Sequence, residues 1–413
     1  MQAEAKLYLL MMTFLNFSLA LSGVFVNIFI WNIDQSFTLL AFYSLSHSIA
    51  VLISFPACAW IARQTSPMSC SRVGILLFVI GYGFLLIVRE EAVNYVFVLG
   101  TILGLATSFF VIGQHMQIFN ITQDHNRDRF LYILSFLTNG VGMLAPIISG
   151  FTISRFIGMN GYYLIFSISF IFFLLTTLIS MKVKGKKLPE KSYFREVWKN
   201  PTKEWRGMYW VSMFTSMVEG TYSSFLVTIM TFSILKNELS FGGYNTFAAL
   251  MGLLTSLLLA KISSPRRRMK IYTIGAFLLC ISSIWISLSP TLMTLVIYAV
   301  LSIIGLNLMN TTLNAWMYAS IEFDQKFEER RLDYIVVREI PLGLGRIIGI
   351  GIFFFINALF DAEKILPISF SIFGSVFVLL IPALRKIWNG HHSLDRMQNE
   401  TPLQLQVNIT KDA

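Results

Sequence analysis

The chain has 413 residues, 55% of them apolar (AVILMFWYC) and 13% charged, with a formal net charge of +10. Soluble domains usually carry about 25% charged residues, and runs of about 20 apolar residues, long enough to cross a bilayer core, recur along the whole sequence. A soluble catalytic domain is excluded, because the longest polar stretches are a linker over 182–206 and the C-terminal tail.

The first apolar run follows Lys6 and continues to about Trp31. It outlasts the apolar core of a cleaved leader, so it is expected to be a retained first helix. Taken in order, twelve spans are expected at roughly 7–30, 37–61, 73–88, 92–119, 129–153, 161–181, 207–235, 242–261, 271–289, 291–319, 334–359 and 365–387. With the N-terminus inside, 26 of the 32 Lys and Arg fall in inner segments, and only Arg89, Arg155, Lys236 and Lys364 fall in outer loops. The positive-inside rule then places both termini in the cytoplasm of a multi-pass cell-membrane protein.

The net charge therefore reflects topology and contact with anionic lipid at the inner face. Nucleic acid is not an expected partner, because no folded domain concentrates the basic residues on one surface. Arg266, Arg267 and Arg268 read as an orientation anchor, and the Asn-x-Thr triplets at Asn399 and Asn408, in a cytoplasmic tail, read as chance matches. Cys58, Cys70 and Cys280 form no Cys-x-x-Cys and no metal-ligand spacing. No cofactor, metal site or catalytic residue is expected.

The chain repeats itself. "ARQTSP" (Ala62–Pro67) after span 2 returns as "AKISSP" (Ala260–Pro265) after span 8. Gly104-Leu105 returns as Gly305-Leu306, Arg129 as Arg330, Gly142 as Gly343 and Gly150 as Gly351. Two six-helix bundles follow, 1–181 and 207–390, joined by the basic linker 182–206 and followed by a polar tail over 391–413. Six is even, so both halves share one orientation, the parallel-repeat layout of certain secondary transporters. The fold class is an all-α polytopic membrane protein.

With its six-plus-six count, cytoplasmic linker and paired loops after spans 2 and 8, the chain resembles the major facilitator superfamily over about 1–390. The loop after span 2, "AWIARQTSPMSCSR", is a degenerate form of the family's Gly-x-x-x-Asp-Arg-x-Gly-Arg-Arg pattern, with Ser66-Pro67 in place of the Gly. Ala145-Pro146 and Ser149-Gly150 in span 5 are similar to the Gly-Pro-x-x-Gly-Gly element of its antiporters. The "RE…GR" stretch of span 11 resembles poorly characterised bacterial permeases of the superfamily.

The resemblance implies a cavity lined by the first and fourth helices of each half, spans 1, 4, 7 and 10, and those spans carry polar stripes. Asn307, Asn310, Asn314 and Tyr318 recur at 3 or 4 residues on span 10, a spacing that shares one helical face. Asn16 and Asn27 mark span 1, Gln114 and Gln117 span 4, and Ser216 and Glu219 span 7. Each is a candidate for the substrate cavity, and the bland alternative is interhelical hydrogen bonding at around 1 kcal/mol each.

Glu219 is the acid nearest the middle of a span, where an ionisable group costs about 2.5–3.5 kcal/mol to insert. It stands as a proton-coupling group, with His47 and His115 as secondary candidates, or as a structural partner to a basic residue. Arg338, Glu339 and Arg346 in "VVREIPLGLGRIIGIG", with Arg63, form a candidate gating charge network. Glu339, Gly343 and Arg346 share a face, and the glycines of this stretch allow a neighbouring helix to come close.

The expected function is secondary active transport of a small solute by alternating access, as proton-coupled export or as uptake of a sugar or peptide type. The expected partners are the small-molecule substrate, the bilayer and protons, with the chain a monomer. ATP-driven transport is disfavoured by the absence of Gly-x-x-x-x-Gly-Lys-Ser/Thr. An intramembrane enzyme is disfavoured by the absence of His-Glu-x-x-His or paired aspartates, and a membrane sensor by the lack of an extramembrane domain.

Overall fold

The structure, a computed structural model, describes residues 3–121, 124–187, 191–201, 203–262, 267–322, 324 and 326–386. The tail 391–413 with Asn399 and Asn408, and Arg266 of the basic cluster, lie outside the described residues, as do the side chains of Arg127, Arg129 and Tyr318.

The described residues are helical almost throughout. The first half comprises α1 (Ala3–Ile33), α2 (Phe37–Gln64), α3 (Pro67–Val88), α4 (Val96–Ile121), α5 (Asp124–Ser154) and α6 (Asn160–Lys182). A short α7 (Phe194–Lys199) follows, in the segment expected to be a plain linker. The second half comprises α8 (Lys203–Val218), a π-helical segment (Glu219–Leu226), α9 (Val227–Leu235), α10 (Glu238–Ile262), α11 (Arg268–Leu288), α12 (Leu292–Glu322), α13 (Phe327–Leu359) and α14 (Ala362–Leu379).

Eleven stretches among these residues are long and apolar enough to cross a bilayer. One of them, Pro67–Ile118, is 52 residues long and contains both α3 and α4, joined by a 3₁₀ segment, Arg89–Tyr95. Likewise α8, the π segment and α9 form one continuous span, Trp205–Leu235. Twelve crossings therefore result, at the places the apolar runs indicate.

Local chemistry sets the boundaries. Ser66 is the N-cap of α3, accepting from the Ser69 N–H at 3.1 Å, and Pro67 occupies the first helical position, where its missing N–H costs nothing. That is the role of Ser66-Pro67 in the loop after span 2. Arg72, one turn on, donates from Nε to the Ser180 carbonyl at 3.1 Å and from a terminal nitrogen to the Val183 carbonyl at 2.7 Å. Both carbonyls lie at the end of α6, where the helix dipole favours a cation, and the Ser180 carbonyl also accepts the Val183 N–H at 3.2 Å.

The helix contacts obey the repeat. In the first half α1 packs on α5, α2 on α4, and α3 on α4 and α6; six spans later α8 packs on α13, α10 on α12, and α11 on α12 and α14. The halves meet along two seams related by the same shift, α2 against α13 and α10 against α5. Gly242 of α10 sits on the Pro146 backbone, where an added Cβ would meet the Pro146 carbonyl carbon at 3.1 Å, and Thr246 donates to the Met143 carbonyl at 2.6 Å. The Pro146 and Gly150 element of α5 is therefore part of the second seam.

Each half also has its own core. Phe78 stacks on Phe173 at 5.3 Å in the first. In the second, the fully buried Tyr222 hydroxyl bonds to Ser283 at 2.6 Å and Tyr298 at 2.8 Å. Large apolar side chains such as Ile53, Phe136 and Leu258 are more than three-fifths exposed on the outside of the helices, an arrangement suited to lipid.

Candidate functional site

Glu219 lies at the centre of the 31-residue span Trp205–Leu235 and is the first residue of the π segment. There the hydrogen bonding loosens, the Val227 N–H reaching back five residues to the Tyr222 carbonyl. Such segments inside α-helices frequently mark functional positions. The neighbouring Gly220 lets α13 come to backbone distance: a Cβ there would lie 2.6 Å from the Arg346 Cα. Gly345 and Gly349 of α13 do the same toward the Met213 and Met217 carbonyls of α8, and Gly343 faces Leu52 of α2.

Close approach of α8 and α13 leaves a polar cavity of about 270 Å³ beside the seam. Its charged and polar lining consists of Ser212, Thr215, Glu219, Asn310, Asn314, Arg338, Glu339 and Arg346. A second cavity of about 350 Å³ is lined by Ser223, Ser224 and Phe377 among others. Glu219 and Asn310 line both.

Arg346 lies two turns from Glu339 on one face, with 3.7 Å between its guanidinium nitrogen and the Glu339 carboxylate. That separation is attractive but exceeds a hydrogen bond, so among the described residues the donors of Arg346 stay available. The Nε of Arg338 is buried and, among the described residues, has no hydrogen-bond partner. From the first half, His47 is within electrostatic range of Arg346 and hydrogen-bonds to Thr107 at 3.3 Å, while the exposed His115 is within range of Arg338. Four charges of opposite pairs thus surround one cavity, with two histidines nearby.

Arg63 stands apart from this cluster. It donates to Asp333 at 2.8 Å and to the Lys191 carbonyl, at the end of the helices that carries the basic segments. Asp333 also accepts from Ser192 at 3.2 Å and from the Tyr193 N–H at 3.0 Å. This strap of 191–193 over the α2–α13 seam was not visible in the sequence. Because α13 begins at Phe327, Asp333 is nearly two turns inside it. Just beyond the strap, Arg330 pairs with Glu196 of α7 at 2.6 Å and with Asp324 at 2.9 Å.

The other sequence candidates divide by direction. Asn310 and Asn314 line the cavity, whereas Asn307 donates to the Ile303 carbonyl and faces Gly252 of α10. Ser216 is fully buried against Gly345, and Thr215 stands on the lining with Ser212 and Glu219. Its spacing of four from Glu219 is the signal that could have found it. Asn16 bonds to the Met12 carbonyl of its own helix, and Asn27 to the Ser224 carbonyl across the two halves at 2.9 Å. Gln117 is fully buried and holds the Lys184 carbonyl at 2.8 Å, while Gln114 is half-buried on α4. The cavity lining also includes Met208, Val211 and Leu342, apolar residues that carry no signal of their own.

The Major Facilitator Superfamily profile matches residues 9–325. A protein of Bacillus subtilis (strain 168), described as uncharacterized protein YqgE, is 27% identical over 358 residues, 86% of this chain and 83% of its own. A Geobacillus stearothermophilus protein, described by its place in the sodM 3′ region, is 31% identical over 147 residues, 36% of this chain and 69% of its own. Among solved structures, a bacterial homologue of the iron transporter ferroportin superposes in its inward-facing state with a TM-score of 0.67 at 13% identity. That alignment covers 94% of this chain and 100% of the other. A bacterial metal transporter superposes with a TM-score of 0.60 at 14% identity, over 94% of this chain and 99% of the other. These structural likenesses show the fold. With the family matched over most of its length and its helices paired in two repeated sets of six, the chain belongs to the major facilitator superfamily, and it is a transporter rather than an enzyme.

Proposed function

We propose that the chain exports a small polar solute in exchange for protons, with Glu219 as the group that alternates between the two. The observation that carries this reading is the place of Glu219, at mid-span, at the start of a π segment and on the wall of both cavities. A carboxylate shared by two compartments can take a proton from one and release it when solute enters from the other. Export is further supported by the Pro146–Gly150 element, similar to that of the family's antiporters and packed on Gly242 of the opposite half. Asn310, Asn314, Ser212 and Thr215 supply the neutral hydrogen-bonding groups for the solute.

A metal cargo, of the kind for which the structural neighbours are named, is less well supported. Among the described residues no group of three or more His, Cys, Asp or Glu could hold an ion, and the cavity acids face two arginines. A second reading, uptake of an anionic solute together with a proton, is favoured by the buried Nε of Arg338 and the loosely held Arg346.

Vesicles loaded with a pH dye separate the readings once a thermal-shift screen has found a stabilising solute. Solute added outside should make the lumen alkaline under exchange and acid under co-transport. Glu219→Gln should abolish the proton signal in both cases. An unchanged proton signal in that variant would remove Glu219 from coupling.

A further inference from the structure

We propose that a cavity at the basic end of the helices, between α7, the first two turns of α8, and α13, binds the headgroup of an anionic phospholipid. The cavity measures about 310 Å³, at the small end of the range for ligand pockets, and lies apart from the transport cavities. Trp198, Trp205, Arg206, Tyr209 and Trp210 form its aromatic and cationic wall, and Val337 of α13 closes it. From Trp205 to Leu235 the chain is one stretch apolar enough to cross a bilayer, and the cavity sits at its basic end, beside the segment Lys182–Arg206.

The wall is organised. Trp198 meets Tyr209 edge to face at 6.0 Å and 67°, Tyr209 meets Trp210 at 6.0 Å and 77°, and Phe194 stacks on Trp198 at 7°. Rings with an apolar body and a polar tip belong at headgroup depth. Trp210 is 55% exposed and Trp198 42%, so part of the array is open to the outside, where acyl chains would lie.

Charge selects the headgroup. Arg206 is exposed and, among the described residues, forms no ion pair, which leaves its planar fork free for a phosphate diester. Lys182 to Arg206 holds nine Lys and Arg against three Glu, a local field that favours an anionic headgroup over a zwitterionic one. Free phosphate would engage Arg206 but leave the exposed rings unused, which is why the proposal is a lipid.

Occupancy has a structural consequence. Trp205 packs edge-on against Tyr334 of α13 at 5.0 Å, and the Tyr334 hydroxyl donates to Asp324 at 2.8 Å. Asp324 in turn holds Arg330, which pairs with Glu196 of α7. A headgroup in the cavity would thus brace α7 against α13, next to the strap over the α2–α13 seam.

The test uses the full chain, purified, delipidated and reconstituted in phosphatidylcholine. Phosphatidylglycerol, phosphatidylcholine and glycerol phosphate are titrated separately, with lipid retention read by native mass spectrometry and stability by thermal shift. Phosphatidylglycerol should be retained selectively and should raise Tm. Arg206→Gln should lower its retention about fivefold, and Arg206→Lys, which keeps the charge without the planar fork, should restore only part of it. Brominated phosphatidylglycerol should quench tryptophan fluorescence less in a Trp198→Phe, Trp210→Phe variant, which keeps the apolar surface. Equal retention of the two lipids, an unchanged Arg206→Gln variant, or stabilisation by glycerol phosphate alone would each overturn the proposal.

Discussion

Arg63 of α2 donates to Asp333 of α13 at 2.8 Å, and both side chains are less than a tenth exposed. The pair crosses the boundary between the two halves, and the backbone of Lys191 and Tyr193 completes its hydrogen bonding. A buried pair of this kind is weak evidence for net stability, but removing one partner strands the other charge. Arg63→Ala should therefore destabilise the chain by about 3 kcal/mol. The Arg63→Ala, Asp333→Ala double variant should lose less than the sum of the single losses. Thermal unfolding of the four proteins closes the cycle, and additive losses would show that the pair is not coupled.

Two asparagines three residues apart on α12 should behave differently. Asn310 lines both cavities, whereas Asn307 is bonded to its own helix and turned to Gly252. Loss of one solute hydrogen bond is worth about 0.5–1.5 kcal/mol, so Asn310→Ala should raise the apparent KM roughly 2- to 10-fold. Asn307→Ala should leave KM unchanged. Equal effects from both variants would show that the solute does not contact Asn310.

The glycines of α13 are not equivalent. A side chain at Gly349 would strike the Met217 carbonyl, while at Gly351 it would meet nothing within 4 Å. Gly349→Val should abolish the monodisperse peak in size-exclusion chromatography, or nearly so. Gly351→Ala should fold normally and gain a few tenths to about 1 kcal/mol from helix propensity. A well-folded Gly349→Val protein would mean that α8 and α13 pack differently.

Asp324 provides a pH test at the basic end. Burial raises its carboxyl pKa, but hydrogen bonds from the Lys326 N–H, Arg330 and Tyr334 outweigh this and hold it below the usual carboxylate range. A depressed folded pKa means stability that is complete above the unfolded value, about 3.9, and is lost as pH falls through the folded one. The Tm difference between the wild type and Asp324→Asn should thus be constant from pH 5 to 8 and shrink below about pH 4. A difference that grew on acidification would reverse the assignment.

Much of the architecture is legible in the sequence because a bilayer leaves few choices. Every backbone polar group must be satisfied within its own span, so apolar runs become helices, and the places of the twelve crossings follow from them. The repeat of "ARQTSP" as "AKISSP" foretells helix contacts that recur six spans later. Less of the candidate site could be read this way. A spacing of 3 or 4 tells which residues share a helical face but not what that face meets, so Ser216, a cavity candidate by its spacing, lies against Gly345, and Thr215, which was not a candidate, stands on the cavity wall.

The sequence by itself determined the class, the number of spans and the odd character of "VVREIPLGLGRIIGIG", because these depend on local hydrophobicity and on what lipid excludes. Only the tertiary structure decided the partners. It separated Arg63 from Arg338, Glu339 and Arg346, gave Asp333 a strap that arrives from 140 residues away, and set Glu219 between two cavities. The reason is physical: a charge in a membrane interior is stabilised by whichever opposite charge or donor the packing brings within a few ångströms, and packing is a property of helix surfaces far apart in the chain.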